Sequence, residues 1–356
     1  MDNSSPFFSV IMPVYNSEKY VEIAIQSILN QSYSNFELII VDDQSNDNSY
    51  FICEKIAQHD NRVKLVQTKQ NRGAAAARNL AFDYVQGQYI VFVDSDDTID
   101  QDFLAVAYSY VNDNQIDCVK FGCIEEYFNS DGEKAYSKGC YLTEQVYDTP
   151  DTIRQQMVRM ELIPLFGYLW NTIYRASIIL DQGLLFNGQY RVNEDFDFNI
   201  RYFKYVQRLQ CSSYCGYHYA KRLNSLSLSM KNNDEYYELH MMKIREFLQS
   251  FSSIESIDTQ TMSNIFWLYT RFIYSAVQRK TVNNEPVNTF IKAIRNSDLF
   301  AIYQSVHFVG INAKQKIMIS ILRSKYEALF HGLIHGISFV RIHCPIIFAA
   351  LKGSVK

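Results

Sequence analysis

Phe7-Phe8-Ser9-Val10-Ile11-Met12-Pro13-Val14 is an apolar run that ends at Tyr15-Asn16. A run this short, closed by polar residues, reads as a buried strand followed by a loop. Outward from it, Val21, Ala24, Ile25, Ile28 and Leu29 recur at helical spacing. Residues 37–41 form a second apolar run, stopped by Asp42-Asp43. Residues 47–59 read as a second helix with Asp47 as its cap. Residues 63–66 read as a third strand. Asn71-Arg72-Gly73 then turns the chain into a helix with Ala77, Leu80, Ala81 and Tyr84 on one face. Residues 89–93 form a fourth strand, which stops at Asp94-Ser95-Asp96-Asp97. Strand and helix alternate with short connections, so an α/β fold is expected, its mostly parallel sheet flanked by helices. In such sheets ligands bind outside the carboxyl ends of the strands, and the acidic residues sit at those ends.

The remaining chain is less regular. Strands are expected near residues 117–122 and 139–147, and from about residue 235 the pattern is mainly helical. The boundary is placed near residue 232, giving a catalytic region 1–231 and a helical region 232–356. Of the 356 residues 47% are hydrophobic, enough for a sizeable core. A net charge of −4 argues against a nucleic-acid partner. That average hides an asymmetry. Residues 310–356 hold seven basic side chains against Glu327 alone, a balance of +6, which leaves −10 for the rest. A basic, apolar end on an acidic body suits an anionic membrane surface; a helical cap or a contact between copies is the plainer reading. The seven cysteines are odd in number and form no C-x-x-C pair, which fits a reduced, cytoplasmic compartment. No signal peptide and no spanning segment are expected.

Four constellations carry chemistry. Asp94 and Asp96, one residue apart at a strand end, suit a shared hard cation such as Mg²⁺ or Mn²⁺, or form a plain acidic turn. Asp42-Asp43 suits a ribose hydroxyl or a base N–H, or caps the next helix. Arg72 and Arg78 lie near the positive end of the helix after Gly73, where Arg grips diphosphate oxygens. Glu194-Asp195, beside Phe196 and Phe198, suits a general base or an acid-rich helix start. No G-x-x-x-x-G-K or G-x-G-x-x-G is present, so P-loop and dinucleotide folds are excluded. His331 and His335 lack the Glu of a zincin helix.

Ser9-Val10-Ile11-Met12-Pro13-Val14-Tyr15-Asn16 resembles the opening strand of family 2 glycosyltransferases, which adopt the GT-A fold, a Rossmann-like arrangement. Ser27-Ile28-Leu29-Asn30-Gln31-Ser32-Tyr33, Val41-Asp42-Asp43-Gln44-Ser45-Asn46-Asp47, Ala76-Ala77-Arg78-Asn79 and Val93-Asp94-Ser95-Asp96-Asp97 follow in the family's order. Leu169-Trp170-Asn171-Thr172-Ile173-Tyr174-Arg175 and Glu194-Asp195 extend the likeness more loosely. The resemblance implies that Pro13, Val14 and Tyr15 line the nucleobase and ribose site. It places Asp42, with Asp43, at the base, Arg78 at the diphosphate, and Asp94 and Ser95 at the ribose and metal. Asp96 becomes the main ligand of Mn²⁺ or Mg²⁺, and Asp195, beside Glu194, the general base. Arg222, Ser225 and Ser227 resemble residues that fold over the diphosphate. Gln44 departs from the family's usual Gly, which implies a differently shaped loop. Neither Trp170 nor Trp267 sits in a processive Gln-x-x-Arg-Trp motif, so addition of one sugar is expected.

The implied activity is inverting transfer from a nucleotide-sugar, UDP-linked first, to a saccharide or lipid-linked saccharide acceptor in bacterial surface-polysaccharide synthesis. The implied location is the cytoplasm, with peripheral contact at the inner face of the cell membrane; a homo-oligomer stays open. The rival from another class is a non-catalytic sugar-nucleotide-binding scaffold. A nucleotidyltransferase would carry a Gly-rich basic loop after the first strand, and Pro13-Val14-Tyr15-Asn16 is not one.

Overall fold

A computed structural model describes residues 5–113, 115–129, 131–188, 193–222, 233–283, 285–324 and 332. Two compact units divide the chain, residues 1–229 and 230–356.

The first unit is built on an eight-stranded sheet. Strands β1 (Phe8–Val14), β2 (Phe36–Asp42), β3 (Val63–Gln67) and β4 (Tyr89–Phe92) are parallel, in the order β3-β2-β1-β4. Helices α1 (Val21–Leu29), α2 (Ser49–Ala57) and α3 (Ala74–Phe82) make the crossovers. All of β1 and all of β4 are buried, which is why they read as continuous apolar runs instead of alternating ones. The chain moves from β1 to β2 and β3 on one side, then returns to place β4 on the other. The crevice at the carboxyl ends of β1 and β4 is therefore the switch point of the sheet.

Beyond β4 the sheet becomes mixed, while four of its seven strand pairings are parallel, as expected for a mostly parallel sheet. Strand β10 (Thr172–Arg175) runs antiparallel to both β4 and β6 (Cys118–Lys120). Strand β11 (Leu209–Cys211) is parallel to β6, and β9 (Gln145–Tyr147) closes the edge antiparallel. A second sheet, unforeseen in the sequence, has the order β5-β12-β7-β8: β5 (Thr98–Ile99), β12 (Tyr217–Lys221), β7 (Cys123–Phe128) and β8 (Lys134–Cys140). Residues 139–147 are thus split between two sheets. The second predicted helix starts at Ser49, with Asn48 at the cap position. Asp47 stands one residue earlier and accepts from the Ser49 N–H at 2.9 Å. Helices α4 (Phe103–Val111), α5 (Pro150–Leu162), α6 (Ala176–Asp181) and α7 (Glu194–Tyr202) complete the unit.

The second unit is helical: α8 (Asn233–Ser250), α9 (Thr259–Val282), α10 (Val287–Arg295), α11 (Asp298–Ser305) and α12 (Ala313–Arg323). Its core gathers on α9, whose Ile265, Phe266, Leu268, Tyr269 and Ile273 are fully buried. Asp258 caps α9 by accepting from the Thr261 N–H at 3.0 Å, and Asn312 caps α12 reciprocally with Gln315. Among the described residues no helix is long and apolar enough to cross a membrane.

Candidate functional site

The loops after β1 and β2 are tied together before any ligand is considered. The Val14 carbonyl accepts from the Asp43 N–H at 2.8 Å. Ser17 N–H donates to Ser49 Oγ at 2.7 Å, and Asn46 N–H to Asn16 Oδ1 at 2.8 Å. Pro13 and Val14 are buried at the end of β1, and Tyr15 stands half exposed beyond them. Asp42 is fully buried. Its Oδ2 accepts from Ser45 N–H at 3.2 Å and Gln67 Nε2 at 3.0 Å, while its Oδ1 has no hydrogen-bond partner. A buried carboxylate oxygen left unsatisfied costs about 1–3 kcal/mol, and a nucleobase N–H is a donor of the right kind to satisfy it.

Asp43 is used differently. Its carboxylate accepts from Thr68 Oγ1 at 2.8 Å, Arg72 N–H at 3.0 Å and Gly73 N–H at 2.6 Å. It therefore shapes the loop that enters α3, and Gly73, at φ +86°, supplies the left-handed step. Gln44, where the resembled family has glycine, keeps a glycine-like backbone at φ +61°, and its side chain donates to the Thr68 carbonyl. The anchored side chain holds Gln44 in this left-handed conformation.

The acidic turn after β4 is pinned from the second sheet. Buried Asp97 accepts from Tyr217 Oη and from the Ala220 N–H, both at 2.8 Å; the Asp94 N–H donates to Tyr217 Oη at 3.2 Å. Burial, then the charges of Asp96 and Asp94, hold the Asp97 carboxyl well above its ordinary range. Ser95 is buried with its hydroxyl 2.7 Å from that of Ser17. Arg222 donates to the Asp96 carboxylate at 3.1 Å and lies over the Tyr20 ring at 4.0 Å. Ser225 and Ser227 lie outside the described residues.

Arg78 joins the two halves of the site. It projects from α3, is 5% exposed, and pairs with Asp94 at 3.1 Å, Asp195 at 3.1 Å and Glu194 at 3.5 Å. Asn79, next to it, fixes Phe186 by donating to its carbonyl at 2.9 Å and accepting its N–H at 2.7 Å; Phe186 lies under the Arg78 guanidinium at 5.5 Å. Glu194 and Asp195 open α7 directly after Asn193, which adopts φ +67°. One guanidinium cannot neutralise three carboxylates. Burial first, then repulsion from Glu194 and Asp94, pushes Asp195 up to about 8 against the pull of Arg78. Burial likewise raises Glu194, and the surrounding acids raise Arg78 above its ordinary value.

The donor set suits a divalent cation completed by substrate. Asp94 and Asp96 supply two carboxylates on one turn, and burial followed by Asp94 holds Asp96 above its ordinary value, as surplus negative charge does. Among the described residues no cluster of three or more His, Cys, Asp and Glu could hold a metal. Mg²⁺-type sites use one or two carboxylates together with substrate phosphates and water, so the pair fits such an ion.

Two features had no sequence signal strong enough to find them. One is the Asp97–Tyr217 clamp, whose residues stand 120 positions apart. The other is Lys120, fully buried, whose ammonium meets the carbonyls of Leu165, Phe166 and Tyr168 and the Asn171 Oδ1 at 2.8–3.2 Å. Burial pushes this lysine down to about 7. Asn199, one turn beyond Asp195 on α7, holds two of the same carbonyls, at 2.7 and 3.1 Å.

The model of the family described as Glycosyl transferase family 2 matches residues 9–172. Those residues belong to glycosyl transferase family 2. A glycosyltransferase of Haemophilus influenzae is 49% identical over 111 residues, 31% of this chain and 44% of that protein. Glycosyltransferase GlyG of Streptococcus pneumoniae is 34% identical over 157 residues, 44% of this chain and 50% of that protein. The chain thus spans about half the length of these curated relatives. The crystal structure of Staphylococcus aureus TarS 1–349 in complex with UDP matches 93% of this chain and 92% of its own, with a TM-score of 0.64 at 20% identity. That likeness shows a shared GT-A fold. The acidic turn and Arg78, within the matched residues, and the opening of α7, beyond them, converge on one crevice.

Proposed function

We propose that the chain is an inverting glycosyltransferase. It moves one sugar from a nucleotide-sugar to a saccharide or lipid-linked saccharide acceptor in bacterial surface-polysaccharide synthesis. The observation that carries this reading is the Arg78 bridge. One buried guanidinium holds Asp94, on the donor side, within 3.1 Å and Asp195, more than a hundred residues later, at the same distance.

The buried end of β2 takes the nucleobase, with Asp42 Oδ1 accepting from it. Asp195 takes the proton from the acceptor hydroxyl. A base held up to about 8 is strong enough to accept that proton near neutral pH, once ionised beside Arg78. The acceptor oxygen bonds to the anomeric carbon as the bond to the diphosphate breaks on the opposite face, which inverts the centre. Arg78 and Arg222 face the departing negative charge. Asp94 and Asp96 would hold a Mg²⁺ or Mn²⁺ ion, whose contribution is charge neutralisation at the leaving diphosphate. UDP-sugars are the first donors to test: TarS, of the same fold, has been crystallised with UDP. The enzyme works at the cytoplasmic side of the membrane.

The test is nucleoside diphosphate release from a panel of UDP-, GDP- and dTDP-sugars, with Mn²⁺ and with chelator. Metal-dependent release from one donor, lost in Asp96→Ala and in Asp195→Asn, supports the reading. Donor binding with no release under any condition refutes it in favour of a non-catalytic scaffold.

A further inference from the structure

The second sheet carries an aromatic face that the proposed chemistry does not use. Tyr217, whose hydroxyl meets Asp97 and the Asp94 N–H, stacks on Trp170 at 4.4 Å; Trp170 stacks on Tyr168 at 4.5 Å and leans on Tyr219 at 5.1 Å. From Tyr219 the face continues across three strands. Tyr219 pairs with Glu125, and Glu125 with Lys138; Lys221 pairs with Tyr127, and Tyr127 with Tyr136. Partners directly opposite in a sheet lie on the same face. The rings of Tyr127 and Tyr136 stack at 4.3 Å and 10°, and Tyr136 is 56% exposed.

This face carries two ammonium groups, Lys138 and Lys221, against one carboxylate, Glu125. Glu125 is buried, accepts from Lys221 and from Tyr127 Oη at 2.8 Å, and has Lys138 at 4.0 Å. What remains for a ligand is a flat ring surface edged by phenol and ammonium donors. Such a surface suits the C–H face of a pyranose with its hydroxyls directed at the rim. The inner end of the face, at buried Tyr217, is fixed to the acidic turn through Asp97 and the Asp94 N–H.

We propose that this face is the acceptor-side subsite, and that a sugar ring of the acceptor lies on Tyr136 over Tyr127. The proposal rests on the glycosyltransferase reading. The assay therefore follows two quantities: release of nucleoside diphosphate without acceptor, and its stimulation by p-nitrophenyl glycosides of glucose, galactose, mannose, rhamnose, N-acetylglucosamine and N-acetylgalactosamine. In the wild-type protein at least one glycoside stimulates release. Tyr136→Ala raises the KM for that glycoside about tenfold, equivalent to about 1.4 kcal/mol. Ser137→Ala, on the opposite face of the same strand, leaves that KM unchanged. No stimulation by any glycoside, an unchanged KM in Tyr136→Ala, or an equal rise in Ser137→Ala overturns the subsite. Donor binding with no release in the wild-type protein, with or without any glycoside, overturns the glycosyltransferase reading instead.

Discussion

Asp195→Asn should abolish transfer and yet stabilise the first unit at alkaline pH. The two amino acids have nearly the same shape, but Asn cannot ionise. In the folded protein burial and acidic neighbours carry Asp195 from its ordinary 3.8 up to about 8. The sign follows from proton counts. Between those two values the unfolded chain has lost its proton and the folded chain has kept it, so wild-type stability falls as pH rises. The loss begins near pH 4 and is complete just above pH 8. At 1.36 kcal/mol per pH unit the full displacement corresponds to roughly 6 kcal/mol. Asp195 is a quarter exposed, so water screens part of this, and about half is expected to be seen. The variant should match the wild type near pH 4 and exceed it by about 2–3 kcal/mol at pH 8.5. Urea denaturation followed by fluorescence measures this. A Trp267→Phe background leaves Trp170 as the reporter of residues 1–229. Wild-type activity should rise with pH over the window in which stability falls, because the base works only when ionised. An inactive variant whose stability advantage over the wild type is no larger at pH 8.5 than at pH 4 would refute the claim that Asp195 is held protonated by its surroundings.

Tyr217→Phe removes the hydroxyl that serves both Asp97 and the Asp94 N–H, so a loss of about 1–3 kcal/mol is expected, with kcat falling more than donor KM rises; thermal melts and donor kinetics check it. Gln44→Gly should be nearly neutral, because relief at φ +61° offsets the lost bond to Thr68, whereas Gln44→Ala keeps the strain and should cost about 1 kcal/mol; equilibrium unfolding of the two variants separates the terms. Helix α12 exposes Lys314, Lys316 and Ile317. The protein should sediment with anionic liposomes at low salt, and Lys314→Glu with Lys316→Glu should weaken this by at least tenfold, from about 1 kcal/mol per lysine; indifference to anionic liposomes sinks the membrane contact.

Much of the first hundred residues was legible because each signal there is local. The strands β1, β2 and β4 are buried on both faces, so their apolar runs stand out, and each ends at the polar residues that mark the crevice. The second sheet was not legible for an equally physical reason. Strand β8 is largely exposed, and its Lys134-Ala135-Tyr136-Ser137-Lys138 shows no run of apolar residues to reveal it. Strand β12 carries His218 between Glu126 and Asp100, so its alternation is blurred by polar contacts on the other face. Lys120 was invisible because the four oxygens that hold it come from residues 165–171, forty-five and more positions away.

What no local pattern could show is the charge balance of the crevice. Asp94, Asp96, Asp97, Glu194 and Asp195 face two guanidinium groups, Arg78 and Arg222. Burial makes that excess expensive, and it appears as raised carboxyl values at Asp96, Asp97, Glu194 and Asp195. A diphosphate entering such a crevice adds negative charge to negative charge, so the donor cannot bind well unless positive charge comes with it. Cation and donor should therefore favour each other's binding, and by linkage the coupling is the same measured from either side. The same excess explains why Arg78 is shared. By pairing with Asp94 and Asp195 together, under the proposed roles it should make the basicity of the acceptor side depend on the occupancy of the donor side. A donor whose diphosphate draws Arg78 toward Asp94 leaves Asp195 more basic, when the acceptor hydroxyl must give up its proton.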